Sequence, residues 1–570
     1  MKQRDLFFWV ILLLFSLTGV FGRSLWGSNE TRGAGMILDM ARHHSYVAPT
    51  LNGKLDLEKP PFLHWLALFF GWLFGGVSEG TVRLPAALSG LATLVLMQRW
   101  VASWESEQNP QSGRAAWAAV FLCATSATFF EYSRVVMSDL PLTLWVTLSL
   151  WLFWKAERCE SSRATRWLPF LSSCAAAFFA KGLIGPGLIW FSVGAYLLAT
   201  RRPLLLLKLG LAFTPLFLLF LYPWVAALAA RGGPEAVRIA LWDNQAGRFL
   251  SFRDPNLPAD PFLIHKEPLS YYASNLPVAL APWTLVAAAA MLALFRPRRL
   301  FGNPDRFPLF LASSLFGMLF VLHVSAAKVG VYALPLFPFV FMAAGIWLAG
   351  ISRVTAKPWE RIAAGISFGA VAAALVLAPV AAIVLAFRKP PLAPGLSPAP
   401  AFLVPAGACV AAAILAGILA LRAYRRRGFE AVCLFPAGLA LLLIPLLLFA
   451  LKVLEPQRSL IPAARLAAEQ IRAGRELALG TRRKGVVGGF TFYLDRRVPV
   501  LRESEDVAGF LFLDRPRAAV VDREWQGELE PLLENIPHDV LSAGPPGSTS
   551  EKFLVLRNRP ERSPSPSARK

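Results

Sequence analysis

Charge is scarce in this chain. Of its 570 residues only 16% are Asp, Glu, Lys or Arg, where a soluble protein of such length carries roughly a quarter. Hydrophobic residues make up 55%, and they are gathered into long runs instead of alternating patterns. Residues 6–22, 205–222, 402–421 and 431–451 carry almost no charge. Each is close to the ~20 apolar residues that cross a hydrocarbon core about 30 Å thick. One or two such runs could be buried core helices; so many exclude a soluble globular chain. Cysteine is scarce as well. Cys123, Cys159, Cys174, Cys409 and Cys433 form no CxxC and no Cys/His spacing, which argues against a disulfide framework or a structural metal. No glycine-rich loop that would cradle a nucleotide is present, and no internal repeat.

What the chain has in excess is positive charge: 58 Lys and Arg against 36 Asp and Glu, a net of +22. The cations sit as short punctuation between apolar runs, without an aromatic-interleaved patch, and this argues against nucleic acid. The pattern fits the bias of Lys and Arg toward cytoplasmic loops. Spans are expected near 6–22, 84–103, 115–130, 140–155, 167–182, 184–200, 205–227, 272–295, 307–326, 331–350, 362–387, 402–421 and 430–453, about thirteen in all. With Lys2 and Arg4 inside, alternate loops at 155–166, 201–202, 296–306, 353–361 and 422–427 are all basic, and only 103–114 is weak. An odd number of spans places the N-terminus in the cytoplasm and the C-terminus outside. The first run is expected to be an uncleaved signal anchor.

Three regions depart from simple spanning. Residues 23–83 form a first external loop with its own apolar stretch, 62–76, too short to cross and expected to lie at the interface. Residues 228–271 form a second. From 454 to 559 hydrophobicity falls: residues 463–477 read as an amphipathic helix, and 485–492, 498–501 and 518–521 as strands. The expected fold is therefore an all-α polytopic membrane protein over residues 1–453, followed by a small extracytoplasmic α/β domain, with residues 560–570 as a disordered tail.

Polar residues near a bilayer are costly, so their placement carries information. The first external loop holds Asn29, Glu30, Arg32, Lys54, Asp56, Glu58 and Lys59. Asn29 and Glu30 read as the capped start of a helix. Glu58 and Lys59 precede two prolines, which fix the chain in extended form and present both charges just before an apolar aromatic segment. Anchoring alone would need only the lysine. Asp139 stands at the external junction of two spans, as a helix cap or as a carboxylate facing the first loop. Lys181 and Lys328 add cations on the same side, and Arg248 and His265 come from the second loop. Several carboxylates and cations beside an apolar surface suit a ligand that is anionic at one end and lipidic at the other.

The ordered series Asn29-Glu30-Thr31-Arg32, Asn52-Gly53, Glu58-Lys59-Pro60-Pro61, Arg83-Leu84-Pro85, Met137-Ser138-Asp139, Ala180-Lys181-Gly182, Tyr222-Pro223-Trp224, Arg248-Phe249, Tyr271-Tyr272, Pro282-Trp283 and Lys328 with Tyr332 resembles the GT-C glycosyltransferases that use polyprenyl-phosphate sugars. The lipid A aminoarabinose transferases and the protein O-mannosyltransferase superfamily are the nearer relatives. The resemblance implies inverting sugar transfer to a cell-envelope acceptor (lipid A, another glycolipid or glycan, or protein Ser/Thr) at the outer face of the bacterial inner membrane. It implies Lys59, with Lys181, Arg248 and Lys328, on the donor phosphate. Glu30, Asp139 and Glu58 would be the catalytic carboxylates, and Asn29, Arg32, His265, Tyr271 and Tyr332 would contact substrate. No cofactor is called for, and no ligand spacing argues for a metal. One departure stands out: the family carries Asp where this chain has Asn29, and an amide cannot be a general base. Glu30 or Asp139 takes that role, or the acceptor arrives already ionised, as a phosphate would. A transporter or flippase would place its ionisable groups near the midplane in repeated halves, and an inactive relative would bind the lipid-linked sugar without turnover.

Overall fold

A computed structural model describes residues 3–108, 113–160, 163–247, 267–302, 305–325, 327–351, 357–386, 407, 411, 435–513, 515–544 and 546–559. Helices fall on twelve of the thirteen expected spans; the run at 402–421 lies almost wholly outside the described residues. The membrane part begins with α1 (Gln3–Leu17), α2 (Ser28–His43), a two-stranded hairpin of β1 (Thr50–Leu51) and β2 (Lys54–Leu55), and α3 (Phe62–Leu73). Next come α4 (Glu79–Gln108), α5 (Arg114–Ala124), α6 (Ala127–Tyr132), α7 (Asp139–Glu157), α8 (Leu168–Lys181), α9 (Ile184–Ala199) and α10 (Pro203–Arg238). It continues with α11 (Tyr271–Ala279), α12 (Thr284–Leu294), α13 (Pro297–Phe301), α14 (Phe307–Val324), α15 (Phe337–Ile351), α16 (Pro358–Ala386) and α17 (Phe435–Arg458). Among the described residues five helices are long and apolar enough to cross a membrane, or six if the bent pair α11 and α12, at 115°, is one span.

Two kinds of helix surface explain the bundle. On α5 and α15 small residues let backbones meet: a Cβ built on Gly345 would stand 2.5 Å from the Ala115 carbonyl oxygen. Without a hydrophobic drive between helices in lipid, such close packing is what holds them together. The other surface is apolar and bare. On α10, Leu204 is 71% and Leu219 68% exposed. In water that much apolar area would be unfavourable at about 25 cal/mol per Å²; against lipid tails it costs nothing. The chain is an integral membrane protein.

The extramembrane region has α18 (Ile461–Arg472), β3 (Glu476–Gly480), α19 (Lys484–Leu494), β4 (Val500–Leu501), α20 (Ser504–Phe512), β5 (Arg517–Asp522), α21 (Gln526–Leu533), β6 (His538–Ser542) and β7 (Phe553–Asn558). Its five-stranded sheet has the order β4-β3-β5-β7-β6, with β3 parallel to β4 and β5, and β7 antiparallel to β5 and β6. Two expectations need correction. The helix expected to reach residue 477 stops at Arg472, because Gly474 takes φ 76° and turns the chain into β3. The strand expected at 485–492 is the helix α19. Its β-branched and aromatic content misled, while its glycines recur at helical spacing and lie against α2.

That contact fixes the region to the first external loop. A Cβ on Gly35 would fall 2.4 Å from the Gly488 carbonyl oxygen, one on Gly488 2.6 Å from the Arg32 Cα, and one on Gly485 2.7 Å from the Ser28 Cα. The Thr31 hydroxyl donates to the Gly485 carbonyl at 2.8 Å, Asn52 exchanges two hydrogen bonds with the Val498 backbone, and Arg497 reaches Asp39 at 2.7 Å. A Gly35→Val substitution should force α2 and α19 apart, since neither backbone can yield. Limited trypsin digestion of the purified chain should then cut within α19 several-fold faster than in wild type. An unchanged digestion rate would contradict this contact.

Candidate active site at the first external loop

Two ion networks share helix α2 and point in different directions. Toward the bundle, Glu30 is 1% exposed. It accepts two hydrogen bonds from Arg23, at 3.0 and 3.1 Å, one from Arg83 Nε at 2.7 Å and one from the Trp26 backbone at 2.6 Å. Arg83, itself wholly buried, spends its other nitrogens on the Val20, Arg23 and Ser24 carbonyls. Helix α2 starts at Ser28 with Gly27 in the cap position and no side-chain cap, so Asn29 is not the cap that its residue type suggested. Half a turn on, the opposite side of α2 presents Arg32. Its Nη2 lies 2.5 Å from Asp56 Oδ2 and 2.7 Å from Glu58 Oε1. Lys484, from the N-terminus of α19, approaches the same Glu58 oxygen at 2.8 Å and Asp56 at 3.4 Å.

Asn29, Arg32, Asp56, Glu58, Lys59, Pro60, His64 and Ser138 line one cleft of about 50 Å³. The two prolines end the extended segment where α3 begins, and the buried stripe of α3, Leu63, His64, Ala67 and Gly71, recurs at helical period. Lys59 is half-buried and makes no ion pair or hydrogen bond among the described residues. Burial, then repulsion from Lys181, pulls its pKa below 10.5, against the attraction of Asp139, Tyr332 and Glu58. Next to it Lys181, the last residue of α8, lies 2.5 Å from Asp139 Oδ1, with its ammonium 3.7 Å from the centre of the Tyr332 ring. The other Asp139 oxygen is buried with no partner. Burial, together with Lys59 and Arg32, outweighs Asp56 at His64 and pushes its pKa down to about 4, so this imidazole is neutral at physiological pH.

The structure thus brings together Asn29, Arg32, Glu58 and Lys59, and sets Asp139, Lys181 and Tyr332 beside Lys59. It does not bring in Glu30, whose oxygens face Arg23 and Arg83. Lys328 is 4% exposed and donates to the Ser325 and Glu267 carbonyls, at 2.7 and 3.3 Å. Tyr271, at the start of α11, packs edge-on against Tyr272 at 5.2 Å. Arg248 and His265 lie outside the described residues. Asp56, His64 and Ser138 line the cleft and Lys484 pairs with its Glu58, yet none was read from the sequence as a site residue. Asp56 and His64 are near enough to Glu58-Lys59 to have been suspected; Lys484 is 426 residues from Glu58 and gave no signal.

Removing the Glu30 charge would leave two buried guanidiniums facing each other, a loss on the order of 3–5 kcal/mol. Glu30→Gln should therefore lower Tm sharply in a detergent melt. A variant that keeps its Tm and loses turnover would return Glu30 to the chemistry.

The family model for dolichyl-phosphate-mannose-protein mannosyltransferases matches residues 58–226, a stretch that begins at Glu58 and contains Lys59, Asp139 and Lys181. The undecaprenyl phosphate-alpha-4-amino-4-deoxy-L-arabinose arabinosyl transferase of Edwardsiella ictaluri is 27% identical over 339 residues, 59% of this chain and 58% of that protein. The enzyme of the same description from Pectobacterium atrosepticum is 27% identical over 360 residues, 62% of this chain and 61% of its own. The matched stretch thus spans about three fifths of these relatives. The crystal structure of ArnT from Cupriavidus metallidurans bound to undecaprenyl phosphate is 19% identical and superposes with a TM-score of 0.75, covering 99% of this chain and 100% of that one. The chain has the GT-C fold of the glycosyltransferases that use polyprenyl-phosphate sugars.

Proposed function

We propose that this chain transfers a sugar from a polyprenyl-phosphate donor to an acceptor of the cell envelope, lipid A or another glycolipid or glycan, at the outer face of the bacterial inner membrane. The observation that carries this reading is the Lys59 ammonium, without a counter-ion of its own, at the head of α3. Helix α3 bares an apolar surface on which Phe69, Trp72, Leu73 and Phe74 are exposed, Trp72 at 78%. A fixed cation followed by a greasy track matches a phosphate followed by an isoprenoid tail. The names of the similar arabinosyl transferases, and the undecaprenyl phosphate bound by the Cupriavidus protein, support the same donor class.

The chemistry follows from the charges. The acceptor oxygen bonds to the anomeric carbon as the bond from that carbon to the phosphate oxygen breaks, and the electron pair leaves with the phosphate. Lys59, with Lys181 behind it, stabilises the charge gathering there; a preorganised cation in a site shielded from water acts more strongly than in bulk. Arg32 and Lys484 hold Glu58 toward the sugar or acceptor. Asp139, with one oxygen on Lys181 and the other free, is the carboxylate placed to take the acceptor proton; an acceptor that is already a phosphate anion loses none. Arg248 and His265 remain assigned to the donor phosphate and to substrate by the resemblance. In this reading residues 1–453 form the transferase domain and residues 454–559 an outer domain, with the N-terminus cytoplasmic.

Lys59→Ala should lower kcat/KM for an undecaprenyl-phosphate sugar by about 10²–10³-fold, measured by mass spectrometry of products from a cell-envelope extract. A chain that binds the donor equally well without Lys59 would contradict the assignment. Because the Lys59 pKa is depressed, its charge is present below that value and lost as pH rises through it. Donor binding should weaken on the alkaline side before an ordinary lysine would deprotonate. Lys181→Ala removes the second-largest cause of the depression, so the alkaline limb should move to higher pH, read from undecaprenyl-phosphate affinity between about pH 7 and pH 10. Asn29→Asp should raise transfer to a neutral hydroxyl acceptor relative to transfer to a phosphate acceptor, because the added carboxylate supplies a base to the first alone while it weakens the cationic donor site for both. Equal effects on both acceptors would sink the idea of a pre-ionised nucleophile.

A further inference from the structure

Among the described residues sixteen buried side-chain atoms have no hydrogen-bond partner, and four of them line the cleft around Lys59: both ring nitrogens of His64, the Ser138 hydroxyl and Arg32 Nε. His64 is 4% and Ser138 2% exposed. Buried polar groups are nearly always paired in native proteins, and exceptions gather where a ligand completes the set. An imidazole placed only for packing would bring at least one nitrogen to a backbone group of its own or a neighbouring helix. His64 brings neither, although α2 and α4 both pack against α3.

The kind of group that fits can be read from the imidazole. In its neutral form it offers one N–H donor and one lone-pair acceptor on diverging sides of the ring, so a hydroxyl, which can donate or accept, can meet whichever nitrogen it reaches. A phosphate oxygen would gain nothing from the acceptor nitrogen, and the neighbouring Lys59 and Arg32 already serve anions. The Ser138 hydroxyl, which lines the same cleft, has the same dual character. The free volume takes one small polar group and no ring: about 50 Å³, against roughly 30 Å³ for a water in the liquid.

We propose that His64, with Ser138 in the same cleft, is a specificity-determining residue that receives a hydroxyl of a sugar substrate beside the Lys59 phosphate site. The inference rests on the transferase reading and adds to it the contact that tells one sugar from another. The hydroxyl belongs to the donor sugar or to a sugar of the acceptor, and two measurements separate them. His64→Phe keeps the ring and removes both polar atoms; His64→Gln keeps a donor and an acceptor.

The test uses the full chain in nanodiscs, undecaprenyl phosphate alone, and a panel of undecaprenyl-phosphate monosaccharides (4-amino-4-deoxy-L-arabinose, mannose and glucose). His64→Phe should bind undecaprenyl phosphate like wild type, which also reports a correct fold. Its Kd for one sugar-bearing donor, or its KM for the acceptor, should rise about tenfold, a typical consequence of one lost hydrogen-bond pair in a buried site. His64→Gln should recover most of the loss. Loss of undecaprenyl-phosphate binding in both variants would overturn the inference, because the residue would then serve the phosphate or the fold. So would unchanged Kd and KM in His64→Phe, where water alone completes the imidazole. A wild-type chain that binds neither undecaprenyl phosphate nor any sugar-bearing donor overturns the transferase reading and this inference with it. A working wild type matched by His64→Phe overturns this inference alone.

Discussion

A carboxylate shut away from water has to be neutralised where it stands, and Glu30 is neutralised by guanidiniums from either side of it. Arg23 comes from the segment after α1 and Arg83 from the first turns of α4. The three charges therefore nail α2 to the outer end of the bundle. Breaking such a buried set is far more costly than any surface pair, so the position of α2 is not negotiable. Everything at the site is measured from that helix. Half a turn beyond Glu30, Arg32 collects Asp56 and Glu58; on the next turn Gly35 admits the backbone of α19, and α19 in turn delivers Lys484. On the transferase reading, a buried ion network sets the coordinates of the groups that line the cleft.

The same constraint changes the standing of the outer domain. Its sheet and helices bury their own apolar clusters, which would suffice for a passive appendage. But glycines at 485 and 488 let it lie on α2 at backbone distance, and Lys484 sits on that contact surface. Glu58 is thus held between a cation from its own loop and one from the far end of the chain. On the transferase reading, the outer domain belongs to the active site and its docking completes the cleft.

How much of this was legible in the sequence depends on how local each signal is. Long uncharged runs declare membrane helices because a bilayer tolerates little else, and among the described residues helices stand where those runs are. Glu58-Lys59-Pro60-Pro61 was legible because prolines fix the chain by themselves, and Lys59 is indeed on the cleft. Glu30 reads as a reactive carboxylate in the sequence, which shows that a charge is present and not what surrounds it; the arginines that enclose it in the structure are 7 and 53 residues away. Segment 485–492 looked like a strand because valine and phenylalanine favour strands on average, while tertiary contact with α2 required a glycine-faced helix. Lys484 was illegible in principle, since nothing local marks a lysine that will meet a carboxylate from the first external loop.

The charge balance of the cleft gives Asn29 a physical meaning. Arg32, Lys59, Lys181 and Lys484 face Asp56, Glu58 and Asp139, four cations against three carboxylates. Three of the cations are paired, and the surplus falls on Lys59. Asn29 lines the same cleft; an aspartate there, as the resembling family carries, would cancel the surplus before any substrate arrived. With asparagine the empty cleft keeps one uncompensated positive charge, which suits a lipid phosphate monoester or diester as the first ligand bound. On the transferase reading, the residue that costs the chain a base leaves the donor site cationic, and the proton, where there is one to move, falls to Asp139, whose second oxygen has no hydrogen-bond partner among the described residues.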